Sequence, residues 1–194
     1  VAIAALLQRN IVWDVITCVN KVNIDSIVHF RDYLISKGIK HWRIFTVFPA
    51  GRAKDNDNLQ LTSEQYKYLL EFIAQTRREG KIDLSYGCEG FLGNYELKVR
   101  NYPFFCQAGI NVASILNDGS ISGCLSIRSN YNQGNIYENS FIDVWNTQFQ
   151  LYRNREWMKN GDCTSCKMWR YCEGNGMHLR DDKGDLLLCN MQRI

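Results

Sequence analysis

Proline is nearly missing from this chain, with two in 194 residues, and neither a low-complexity tract nor an internal repeat is present. A change of pattern, not a linker, must therefore mark any domain boundary. No apolar run approaches the ~20 residues that cross a bilayer, so no membrane partner is expected. A marked excess of one sign of charge is lacking too: Lys and Arg are scattered among Asp and Glu, the net charge is +3, and no basic footprint for nucleic acid stands out. The stretch from Val1 to Asn10 lacks a basic start and has only a brief apolar run, unlike a secretion signal. With 45% apolar and 12% aromatic residues, the chain can bury a core without covalent staples. A cytoplasmic protein with reduced thiols is the expectation, which sets a disulfide framework aside.

What is present begins with alternating strand and helix patterns. Ile11 to Val19 is a β-branched run too continuous for a half-exposed strand, and it reads as a strand covered on both faces with Cys18 as a small core residue. Ile24, Ile27, Val28, Leu34 and Ile35 then recur at helical spacing between an Asn23 or Asp25 cap and Gly38. Trp42 to Phe48 is a second buried strand, Thr62 with Gln65 is a capping box opening a helix that ends at Gly80, and Ile82 to Tyr86 is a third strand. Two such crossovers predict parallel strands with helices outside, part of a doubly wound sheet or of a (β/α) barrel. Ala2 to Gln8 reads as the end of a helix whose strand would lie upstream, so the chain is expected to begin within a domain.

Near residue 100 the pattern shifts to short strands, turns and cysteines. Asn117-Asp118-Gly119 is a hairpin turn between Val112–Leu116 and Ile121–Cys124. Ser140 caps a helix carrying Phe141, Val144, Trp145 and Phe149, with Leu151 to Trp157 as its continuation. Cys163, Cys166, Cys172 and Cys189 follow in the pattern C-x2-C-x5-C-x16-C. Two sulfurs on one tight turn, a third close by and a fourth on a returning loop make a closed four-thiolate site, for a tetrahedral metal or an iron-sulfur cube.

Further upstream, Cys106, Gly119 and Cys124 are spaced C-x12-G-x4-C. Together with the quartet, this order resembles the SPASM domain, the carboxy-terminal extension of radical S-adenosylmethionine enzymes that mature peptides and proteins. Six of that pattern's seven cysteines have counterparts. The stretch Gly134 to Ser140 with Asp143-Val144-Trp145 is similar to the family's segment between the two cysteine groups, and Thr17 to Asn20 and Phe48 to Ala53 are similar to its last barrel strands. The resemblance implies an α/β fold: the last β/α units of a partial (β/α)6 radical SAM barrel over residues 1–100, then a small α+β cysteine-rich SPASM domain over 101–194. It also implies that Cys163, Cys166, Cys172 and Cys189 hold one auxiliary 4Fe-4S cluster and that Cys106 and Cys124 serve another.

Two departures qualify what is implied. Where the seventh thiol would fall, the chain reads Cys172-Glu173-Gly174-Asn175-Gly176, so the first auxiliary site lacks a ligand. Cys88 and His178 are candidates to replace it, although His178 reads first as an ordinary surface or partly buried histidine. In addition, no C-x3-C-x2-C occurs, and that is the motif whose cluster cleaves S-adenosylmethionine in the family. That cofactor and catalysis are accordingly expected of a longer protein acting on a peptide or protein substrate, not of this chain alone. The alternative from another class is a structural zinc module of an interaction or regulatory protein, because four thiolates suit zinc equally well. Self-association through an open sheet edge along Ile11 to Val19 is also expected.

Overall fold

The computed structural model describes the chain apart from Val1, Val12 and Trp13, with Ala2 described by its backbone alone. The described residues form two compact units, residues 1–104 with 190–194 and residues 105–189. The fold is mixed α/β.

In the first unit, helix α1 (Ala2–Leu7), strand β1 (Val15–Val19), helix α2 (Ile27–Ser36), strand β2 (His41–Thr46), helix α3 (Ser63–Glu79) and strand β3 (Asp83–Tyr86) follow in order. The sheet order is β1-β2-β3 and both pairings are parallel. Paired residues share a sheet face, so Val15, Trp42 and Leu84 form one row, and Thr17, Ile44 and Tyr86 the next. That face belongs to the core, with Leu69, Leu70 and Ile73 of α3 and Ile27 and Leu34 of α2. Trp42 lies between Phe30 and Phe72 in edge-to-face contact, and its indole N–H donates to Thr17 Oγ1 at 2.9 Å. The polar handle of a buried Trp is thereby satisfied. Truncating Leu69 or Leu70 to Ala would cost about 2–5 kcal/mol.

The local signals for α3 act as anticipated. Thr62 Oγ1 accepts from Gln65 N at 3.2 Å, Gln65 returns the bond to Thr62 N at 3.0 Å, and Gly80 closes the helix in the left-handed region at φ 66°.

The opposite sheet face departs from expectation. Ile16, Arg43 and Ser85 share a row there, and Ile16 and Cys18 are both exposed. The strand read as covered on both faces is covered on one, and Cys18 is not a core residue. A continuous β-branched run reports strand propensity but cannot tell which face another layer will cover. The remainder of that expected strand at Val12 and Trp13 lies outside the described residues. Instead the open face carries charge: Arg43 Nε bonds Asp14 Oδ2 at 2.5 Å, and His41 Nδ1 bonds Asp83 Oδ2 at 3.1 Å.

The second unit has little regular structure. Strands β4 (Ser114–Ile115) and β5 (Ser120–Ser122) form the antiparallel hairpin, and β6 (Gly134–Asn135) adds a third strand beside β5. Gly119 takes φ +83° in the turn, and Asp118 Oδ1 accepts from Ser120 N at 3.0 Å. Ser140 caps α4 (Phe141–Thr147), accepting from Asp143 N at 3.5 Å. The expected helix over 151–157 divides into α5 (Gln150–Arg153) and a 3-10 turn at Glu156–Met158, and α6 (Trp169–Cys172) follows.

Tyr152 of α5 organises this unit. Its hydroxyl donates to Tyr131 O at 2.8 Å and accepts from Gly123 N at 3.0 Å. The ring fits because two neighbours lack side chains. A Cβ on Gly109 would lie 2.2 Å from Tyr152 Cβ, and one on Gly123 would lie 2.4 Å from its Cε1.

Candidate metal centre

The four late thiols come together within the second unit. Cys163 ends a 3-10 turn, Gly161–Cys163, whose carbonyl is reached by Cys166 N at 3.4 Å, so a single tight turn carries both residues. Cys172 ends α6, after which Glu173 at φ 46° and Gly174 at φ 82° reverse the chain. Burial pushes the Cys172 thiol up to about 12, and Cys189, Cys163 and Cys166 push the same way. The other three sulfurs therefore lie near enough to act on that of Cys172. Unligated, Cys172 keeps its proton. A bound metal reverses that, because thiols coordinate as thiolates.

Among the described residues, no three His, Cys, Asp or Glu side chains are arranged to hold a single metal ion. The donor set around Cys172 is all sulfur. The chemistry of an all-thiol donor set fits an iron-sulfur group, in which each thiolate binds a different iron.

Arg180 completes this group and was not marked by any motif. Its side chain is buried. Nη2 donates to Cys163 Sγ at 3.2 Å and to Gly174 O at 3.0 Å, while Nη1 donates to Asn160 Oδ1 and Gly184 O, both at 2.8 Å. The one sequence signal is its place directly after the buried Met177-His178-Leu179 turn, a poor position for a solvated charge.

Cys106 and Cys124 both act on Tyr152. The phenol is pushed up mainly by burial, and both thiols add to the rise, which places each near that hydroxyl. Cys106 is buried, and its carbonyl accepts from Arg155 Nη2 at 2.5 Å. Arg155 also donates from Nε to Tyr152 O at 3.1 Å and lies over the Phe105 ring at 4.5 Å.

Of the two candidates for the missing ligand, His178 is buried, not at the surface. Its ring occupies the space beside Gly176: a Cβ there would meet His178 Cε1 at 2.6 Å and Nδ1 at 2.9 Å. Burial alone lowers its pKa to about 4, so the imidazole is neutral near pH 7. Cys88 is exposed and lies in the first unit.

Sequence reasoning also missed Glu89 in the first unit. Its Oε2 accepts from Thr46 N and Thr46 Oγ1, each at 2.5 Å, and from Tyr86 O–H at 2.8 Å. Tyr66 O–H lies 3.1 Å from the Tyr86 hydroxyl, with the Arg193 guanidinium 4.0 Å over the Tyr66 ring. Burial raises the Glu89 pKa to about 7, against opposing hydrogen bonds from Thr46 and Tyr86 and the attraction of Arg100. The cluster sits at the carboxyl ends of β2 and β3, where open α/β sheets place polar function.

Comparison with known proteins bears on the same residues. A profile of the SPASM iron-sulfur cluster-binding domain matches residues 106–167. AdoMet-dependent heme synthase from Oleidesulfovibrio alaskensis is 22% identical, over 96% of this chain and 53% of the synthase. Native anSMEcpe with bound AdoMet and the Cp18Cys peptide superposes with a TM-score of 0.63 at 19% identity, over 98% of this chain and 56% of its own. Streptococcus suis SuiB gives 0.60 at 18% identity, over 89% of this chain and 43% of its own. The chain thus spans about half the length of these relatives. At such identities the structural likeness is one of fold. Among the described residues no helix is long and apolar enough to cross a membrane. Residues 106–167 match the SPASM domain, and the chain as a whole is similar in fold to about half of anSMEcpe and of SuiB.

Proposed function

We propose that this chain is the carboxy-terminal part of a radical S-adenosylmethionine enzyme that modifies a peptide or protein. In this reading Cys163, Cys166, Cys172 and Cys189 hold an auxiliary 4Fe-4S cluster, and Cys106 and Cys124 contribute to a second. Residues 1–100 would be the last β/α units of the barrel and 101–194 the auxiliary domain. The observation that carries the reading is the gathering of Cys163, Cys166 and Cys189 about Cys172, with Arg180 donating to Cys163 Sγ. A SPASM match beginning at Cys106 supports it, as does likeness in fold to anSMEcpe, a structure with a bound peptide.

Bound there, such a group supplies one-electron transfer or anchoring. The chain's own residues supply the rest. The turn at Cys163–Cys166 and the reversal after Cys172 preset the sulfur positions, which lowers the ordering cost of ligation. Arg180 restrains Cys163 and offers a positive charge to its thiolate. Four protein thiolates leave no iron open, which favours electron transfer over direct substrate binding at that site.

The test is metal and sulfide analysis with visible absorption of anaerobically purified protein. Iron with matching sulfide, lost on Cys166→Ser, is expected. Stoichiometric zinc in colourless protein would instead favour a structural module. S-adenosylmethionine cleavage is expected only from a protein that also carries the C-x3-C-x2-C motif absent here.

A further inference from the structure

Each group of thiols has one buried arginine, and the two share an electrostatic problem. Arg155 is 4% exposed and Arg180 is 1% exposed. The ion pairs Arg31–Asp32, Arg31–Glu79, His41–Asp83, Arg43–Asp14 and Arg100–Glu96 involve neither. Arg180 donates to two carbonyls, one amide oxygen and the Cys163 sulfur. Arg155 donates to the carbonyls of Tyr152 and Cys106, and its Nη1 is buried without any partner. A guanidinium cannot shed its proton. Burying one on neutral acceptors costs several kcal/mol, and an orphaned donor on it adds to the cost. Thiols stand ready to provide negative charge at both: Arg180 touches the Cys163 sulfur, and Arg155 adjoins Cys106 through its carbonyl.

We propose that Arg155 and Arg180 are the countercharges of two anionic iron-thiolate centres, and that Arg155 Nη1 donates to a sulfur of the centre formed at Cys106 and Cys124. This rests on the cluster-binding reading above and extends it to the incomplete first site. Both arginines are positioning residues. They set how readily each centre accepts an electron, because positive charge and N–H···S bonds favour the reduced, more anionic state and raise its potential. The first site is then held by charge as well as by thiolates, which offsets the absence of a thiol at Gly176.

The experiment compares the parent with Arg155→Met, Arg155→Lys and Arg180→Met after anaerobic reconstitution with iron and sulfide. Iron and sulfide per chain are measured, and each centre is titrated potentiometrically with detection by electron paramagnetic resonance. Arg155→Met is expected to lower one potential by the equivalent of a tenfold change in the oxidised-to-reduced ratio, about 59 mV for one electron. Arg180→Met is expected to lower the other similarly, while Arg155→Lys keeps most of the parent value because it keeps the charge. Two full centres with unchanged potentials in both Met variants would refute the countercharge role and leave the cluster reading standing. A single centre indifferent to Cys106→Ser and Arg155→Met would refute the role of Arg155 alone. A parent that takes up no iron and sulfide would overturn both readings. If the Met variants fail to fold, pulsed resonance of the parent labelled with 15N-guanidinium arginine decides: coupling to 15N is expected at the reduced centres, and its absence would sink the proposal.

Discussion

The His178 ring fills the space into which a side chain at Gly176 would project, with Cε1 only 2.6 Å from an ideal Cβ. Position 176 is where the SPASM pattern has its seventh thiol, so a cysteine cannot simply be restored there. Gly176→Cys should destabilise the second unit by about 1–3 kcal/mol, the usual cost of overpacking. Gly176→Cys with His178→Ala should recover most of that loss and take up more iron and sulfide than either single variant. Thermal melting and iron content of the three proteins test this, and an unperturbed Gly176→Cys would show that the ring yields freely.

The two kinds of cysteine should differ sharply on substitution. Cys163→Ser or Cys166→Ser removes a ligand, and binding and folding are one equilibrium at such centres. A loss of about 4 kcal/mol or more from the reconstituted protein is expected, the range that loss of a metal site reaches. Cys18 is exposed on the open sheet face, so Cys18→Ser should stay within about 0.5 kcal/mol. Equal, small changes in melting temperature for all three would count against a metal-centred unit.

Features written in neighbouring residues were legible from sequence, and those that depend on distant partners were not. The Thr62–Gln65 capping box, the Asp118-Gly119 turn and the Ser140 cap each act within four residues, and all three are formed. The β/α alternation was equally readable, because helical and strand periods are local. The exposure of Cys18 was not, since it depends on whether a second layer covers that face. Glu89 looked like any acid in a loop. Its burial arises only when Thr46 and Tyr86 are brought side by side on adjacent parallel strands. Arg155 and Arg180 belong to no cysteine pattern, yet they reach Cys106 and Cys163 across 49 and 17 residues of sequence. Small residues follow the same rule: Gly109 and Gly123 matter only because Tyr152 lies against both.

Among the described strands, β1 has a single neighbour, β2, and it presents Ile16 at 55% exposed. An edge with unpaired backbone groups and an apolar side chain recruits another strand. The isolated chain should therefore self-associate with rising concentration. Ile16→Lys should weaken that association, because a lysine on an edge strand opposes pairing. Light scattering across a concentration series is the measurement, and a clean monomer throughout would remove the basis for pairing at β1.

Glu89 should make the stability of the first unit depend on pH in an unusual direction. Its folded pKa of about 7 lies above the ~4.3 of an unfolded glutamate. Between those values the folded chain holds a proton that the unfolded chain has released. The stabilisation is therefore complete below about pH 4, declines as pH rises, and is gone above about pH 7. A difference of two to three pKa units corresponds to a contribution on the order of 3 kcal/mol. Glu89→Gln keeps an acceptor oxygen for Thr46 and Tyr86 but cannot ionise. Urea unfolding at pH 5, 6, 7 and 8 should show the parent losing stability relative to the variant with each step towards pH 7. Above that the difference should level off. Parallel curves for the two proteins would mean that the carboxyl is ionised throughout, stabilised by the hydrogen bonds from Thr46 and Tyr86 and by the nearby Arg100 charge more than burial penalises it.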